Sequence, residues 1–278
     1  MLGFCVFNKL NIINLKNNYF KSYLVKSKSS KHLLNIFRNN LNRLIQTFAK
    51  KYLVLVLLLF IYVIFSAFYL SKPKTIILFF IPCFGKEKLV IDKNYYSEII
   101  SDSISIQSLR FYVSGIYLLK NGKSIYQTKN QCNLIDISKK LRIEINTKSE
   151  LDFDCIQFNI GVDSSKQVSG VMGGDLDPMN GMYWTWQSGY INFKLEGKSN
   201  ICNTRNNIFQ FHIGGYQSPN NTIQKIMLPV KNETNIIIRF DIKNFLSQID
   251  LKNVNEVVSP SYKSVQISKQ YANIFSIE

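Results

Sequence analysis

The chain has 278 residues, with 34 Lys and Arg against 18 Asp and Glu, a formal net charge of +16. Twelve of those cations and none of the acids lie in residues 1–74, leaving residues 75–278 a balance of only +4. The basicity therefore belongs to the N-terminal segment, and the remainder has no charge footprint for nucleic acid.

In chain order, residues 1–51 read as a basic cytoplasmic segment ending in Lys50-Lys51. Tyr52 to Leu70 is an uncharged run of nineteen residues rich in Leu, Val, Ile and Phe. At 1.5 Å per residue it reaches about 28 Å, enough to cross a bilayer core, and predicts one transmembrane helix over residues 52–70. The positive-inside rule puts everything after it in the periplasm or at the cell exterior. A second apolar run, Thr75 to Phe84, is too short to span. Residues 71–85 read as a signal-like region, with Ile81-Pro82-Cys83 as a degenerate lipoprotein box. Residues 86–278 are then the exported domain, which holds only Cys132, Cys155 and Cys202, an odd number without zinc spacing.

From Ser105 onward, short alternating runs separated by turn signals predict an all-β domain, an antiparallel β-sandwich with a short C-terminal helix. Ser105 to Leu119 is one long strand or two short ones, and Asn121-Gly122 is a hairpin turn. Leu141/Ile143/Ile145, Ile156/Phe158/Ile160, Ile191/Phe193/Leu195 and Phe209/Phe211/Ile213 alternate in turn, followed by Ile223 to Val230 and Asn235 to Ile242. Ser259-Pro260 reads as a helix start, with Ile267, Tyr271, Ile274 and Phe275 on one helical stripe.

Chemistry concentrates in Asp163 to Tyr190, which holds both tryptophans and three of the five methionines. Trp184 and Trp186, two residues apart in an extended segment, share one strand face, either as core or as a docking surface. The domain has one histidine, His212, and lacks a nucleophile elbow, which argues against Ser-His-Asp catalysis. Asp175 and Asp177, before Pro178, fit turn caps better than acid/base work. Imidazole and thioether donors, His212 with Met172, Met179 and Met182, favour Cu(I), and Asp163 completes the candidate metal set. Methionines also fill irregular cores without any metal.

These residues also carry a resemblance. Ile160-Gly161-Val162-Asp163, the run from Asp177-Pro178-Met179-Asn180-Gly181-Met182 through Tyr183-Trp184-Thr185-Trp186-Gln187-Ser188-Gly189-Tyr190, Lys194-Leu195-Glu196-Gly197 and Phe211-His212-Ile213-Gly214 closely resemble the MbnP-like copper-binding protein family. Leu109 to Ile116 resembles that family's early strand, and Ser259 to Ser276 its tail. The resemblance implies an exported, non-enzymatic β-sandwich associated with copper handling. Some members bind Cu(I) through histidines and a tryptophan oxidised to kynurenine by a di-haem partner of the cytochrome c peroxidase kind. Carried over, Trp184 or Trp186 is the oxidisable indole and His212 the candidate imidazole. The family's copper-site members place a histidine in the loop after the Gly-Val strand, and Ser164 to Gly174 contains none. The rival reading is a metal-free interaction module whose Trp-Thr-Trp face docks a protein.

Overall fold

A computed structural model describes residues 28–69, 74–129, 131–185 and 188–278. The chain divides after residue 71 into two units.

The first contains helix α1 (Lys28–Tyr69), longer than the predicted span by more than twenty residues at its N-terminal side. Among the described residues it supplies one stretch, His32–Ile64, long and apolar enough to cross a membrane. Residues 1–27, including Cys5, and 70–73 lie outside the described set.

The second unit opens with β1 (Lys74–Phe84), followed by β2 (Glu87–Lys88), β3 (Asn94–Ser97), β4 (Asp102–Lys120), β5 (Lys123–Gln127), β6 (Cys132–Asp136), β7 (Arg142–Thr147) and β8 (Cys155–Ile160). Helix α2 (Ser164–Val168) leads through short 3-10 turns to β9 (Tyr183–Thr185), β10 (Gly189–Ser199), β11 (Ile208–Gly214), β12 (Gln224–Pro229) and β13 (Asn235–Asp241). Helix α3 (Ile242–Ser247), β14 (Glu256–Val257), α4 (Tyr262–Tyr271) and β15 (Phe275–Ile277) complete it. The smaller sheet runs β15-β13-β1-β2, with β7 also on β1; the larger runs β12-β8-β4-β10-β11-β14.

The signal-like reading of residues 71–85 is corrected here, and with it the domain start at residue 86. Residues 74–84 are a strand inside the domain, parallel to β13 and antiparallel to β7. Ile76, Leu78 and Phe80 point into the core, while Ile77, Phe79 and Ile81 are half-buried on the other face. Both faces are apolar, as is usual where a strand has a parallel neighbour, so the run shows no alternation and imitates a secretory segment. Cys83 is buried, its thiol donating to Phe240 O at 3.3 Å, which places it away from any lipidation site. Besides β1 with β13, β11 pairs with β14 in parallel; the other ladders of the sandwich are antiparallel.

The nineteen residues of β4 form a spine. Along one edge β10 pairs Ile104 to Phe111 and β8 then takes over from Val113 to Leu119; β3, β6 and β5 occupy the other edge. The Asn121-Gly122 hairpin forms with both residues at positive φ, as a type I′ turn requires. Between the sheets Phe111 is an aromatic hub, meeting Phe80 at 5.9 Å, Phe240 at 5.2 Å and Phe193 at 6.0 Å. Helix α4 begins two residues later than predicted: Ser261 is the cap, exchanging hydrogen bonds with Ser264, and Ile274 and Phe275 fall beyond the helix, Phe275 opening β15. All four described cysteines are free.

Candidate functional site

Where β8 and β10 meet on the edge of β4, their backbones part and the chain between them folds over the outer face of the larger sheet. Gly161 makes the exit, with φ +126°, and its N–H donates to Tyr112 O at 2.8 Å. A Cβ there would lie 2.8 Å from Asn192 Cγ, so a side chain is excluded both by conformation and by space. Asn192 is fully buried in that gap. Its Oδ1 accepts from Val162 N (3.0 Å) and Gln167 Nε2 (3.4 Å), and its Nδ2 donates to Thr222 Oγ1 (2.9 Å) and Gly215 O (3.4 Å). Gln167 of α2, also buried, accepts from Tyr190 N at 2.7 Å. Four chain segments are thereby tied to one amide.

Beyond this tie the loop has its own small core: Tyr112, Leu134, Val162, Leu176, Met182, Tyr190 and Ile191, with Cys132, Tyr183 and Trp184 packed against it. Polar anchors surround it. Tyr112 Oη donates to Asp175 O at 3.0 Å, and Asp175 Oδ2 accepts from Leu134 N (2.9 Å) and Lys140 Nζ (2.6 Å). Asp177 caps the Pro178–Asn180 turn by accepting from Met179 N, and Arg110 donates to Asn180 O at 2.9 Å. Both aspartates thus serve the turn. Burial raises the Tyr112 hydroxyl far above its ordinary value and pushes the Cys132 thiol up to about 12, leaving Cys132 unsuited to thiolate chemistry.

Next to this core the register aligns Asp136, Arg110, Lys194 and His212 in one row across β6, β4, β10 and β11. His212 Nε2 lies 2.8 Å from Glu196 Oε1, and Lys194 Nζ lies 3.3 Å from the same oxygen. The His212 hydrogen bond holds Glu196 below its ordinary 4.5, opposed by burial and helped by Lys194. A depressed folded pKa adds stability that is present above 4.5 and is lost as pH falls through the folded value. The melting temperature gap between the wild type and Glu196→Gln is therefore widest at neutral pH, where it is worth about 1 kcal/mol, and closes in acid. A gap that stayed constant from pH 7 to pH 3 would show that His212 does not hold this carboxylate ionised.

A sequence model of the MbnP family matches residues 73–262, starting at β1. The chain belongs to the MbnP family. Among solved structures it is similar to MbnP from Methylosinus trichosporium, with a TM-score of 0.54 and 13% identity, over 74% of this chain and 98% of that one. At that identity the likeness establishes the shared sandwich. No curated protein matches the chain.

Against the MbnP fold the predicted site residues separate. Met182 is fully buried in the small core, where its thioether fills space. Trp184 is half-buried beside it, its ring lying over Gly214, whose Cβ would fall 2.7 Å from Trp184 Cζ3. Asp163 accepts from Ser114 Oγ at 3.0 Å. Met172 is anchored through its backbone, its N–H donating to Tyr190 Oη at 3.1 Å, and its side chain is exposed. Met179 is 91% exposed, and His212 sits in the charged row. Trp186 and Gln187 lie outside the described residues. Among the described residues no three of His, Cys, Asp and Glu group to hold a metal ion.

Sequence reasoning missed Asn192, Gln167 and Arg110. Alternation of Ile191, Phe193 and Leu195 assigns Asn192 to an outward face, which is correct for the sheet but not for burial, because the loop covers that face. The available signal was Gly161 directly after an apolar strand.

Proposed function

We propose that this chain is a membrane-tethered, non-enzymatic MbnP-family protein that serves copper handling on the side of the membrane opposite its basic N-terminal segment, with the loop over residues 161–191 as its working surface. The observation that supports it is the loop itself, which is bolted to the sheet by Asn192, Arg110 and Asp175 while Val168, Val171, Met172 and Met179 stay exposed. A rigid base with apolar and thioether tips is suited to binding.

The copper part of this reading rests on the family resemblance. The residues present do not form a closed copper site: His212 is engaged by Glu196, two cations share its row, and Met182 is inaccessible. Met172 and Met179 are the loop's exposed soft donors, and half-buried Trp184 is the described indole this reading assigns to oxidation by a di-haem partner. Exposed Val168 and Val171 favour the companion reading, a protein docked on the same surface.

The test is a Cu(I) titration of the full chain in detergent against a competing chelator, with intact mass recorded on the same sample. Copper retention that is lost in the triple variant Met172→Leu/Met179→Leu/His212→Ala and kept in Met182→Leu is expected. A mass increase on the Trp184 peptide would identify the indole as a substrate of the partner. No retention and an unmodified mass would sink the copper reading and leave the docking one.

A further inference from the structure

The N-terminal half of α1 has a character its membrane-crossing half lacks. Residues 28–51 add about 36 Å of helix before the uncharged run begins, more than a bilayer core can take up alongside it. At 100° per residue, Leu33, Phe37, Leu41, Leu44, Ile45 and Phe48 fall within one arc of about 120°. Lys31, Arg38, Arg43 and Lys50 lie outside that arc, Lys51 falls at its edge, and α1 contains no acidic residue. The apolar arc is uncovered: Phe37 is 73%, Phe48 56% and Leu44 54% exposed.

We propose that residues 28–51 form a surface helix that lies on the anionic headgroups of the bilayer α1 crosses, its apolar arc in the acyl boundary and its cations against phosphate. This rests on the membrane-tethering part of the proposed function. Charge complementarity selects the occupant: a second copy would bring the same cations and no carboxylate to the contact, whereas an anionic lipid surface supplies the missing charge. A turn from the surface into the span has a place to occur. Thr47 Oγ1 donates to Arg43 O (3.0 Å) and Leu44 O (2.8 Å), one turn before Lys50-Lys51, and such back-bonding loosens the helical ladder and lets a helix bend.

The experiment places spin labels on the full chain in vesicles, in a background of Cys5→Ser, Cys132→Ser and Cys155→Ser that leaves only the buried Cys83 and Cys202 among the native thiols. Labels at Phe37→Cys and Asn42→Cys read the two helix faces, and Leu58→Cys reads the span. In phosphatidylcholine/phosphatidylglycerol vesicles the label at 37 should be open to oxygen and shielded from an aqueous nickel chelate, with the reverse at 42. Raising the salt or omitting phosphatidylglycerol should reduce the contrast. Equal nickel access at 37 and 42 in both vesicle types would overturn the inference, as would shielding of 37 from both reagents with spin-spin broadening, which marks a second copy. Nickel access at 58 would instead overturn the tethering on which it rests.

Discussion

A chain that begins at residue 86 will not fold. That boundary deletes β1, which lies between β13 on one edge and β7 and β2 on the other, so the smaller sheet loses its central ladder. It also removes the buried side chains of Ile76, Leu78, Phe80, Cys83 and Phe84. At about 2 kcal/mol for each large apolar group, their burial is worth about 8–10 kcal/mol, comparable with the entire stability of an ordinary domain. Phe80 meets both Phe111 and Phe158 edge-on, so its loss opens the centre of the core rather than a margin. Residues 72–278 should give a cooperative thermal transition by circular dichroism and residues 86–278 none. A sigmoidal melt from the shorter chain would show that β1 is dispensable.

Asn192→Leu is the second large effect. The substitution keeps approximate size but removes one acceptor and two donors from a buried gap, stranding Val162 N–H, while Gly215 O keeps its bonds from Thr222 N (3.1 Å) and Thr222 Oγ1 (3.2 Å). Thr222 Oγ1 and Gln167 Nε2 lose a partner as well. A buried group left unmade costs about 1–3 kcal/mol, and the weaker bond from Gln167 adds to it, so a total of about 2–3 kcal/mol is expected. Urea unfolding should register it as a lower midpoint. A loss below about 0.5 kcal/mol would mean that the loop is not held through this amide.

Much of the fold was legible in the chain because most strands have one face on the core and one in water. Leu141/Ile143/Ile145 and Phe209/Phe211/Ile213 alternate for that reason, and Asn121-Gly122 fixes its turn by the only residues that tolerate it cheaply. β1 was illegible because both its faces are apolar, and periodicity cannot separate such a strand from an export signal. The candidate site was legible as a place, through its Gly, Trp and Met content, but not as a geometry. Met182 and Met179 look alike in sequence, yet one is buried and the other 91% exposed, since a loop's own small core depends on how it folds back over Tyr112. The Asn192 tie joins residues far apart in the chain, which no local pattern records.

The larger sheet carries two separate hydrophobic clusters, the main one between the sheets and the small one beneath the loop. Because they lie on opposite faces of β4, the loop's contacts can be rewritten without disturbing the scaffold below. A lineage could therefore replace the tips of this surface while the sandwich drifts under separate constraints. The tie at Gly161 and Asn192 is then the junction where an interchangeable face is joined to a permanent frame.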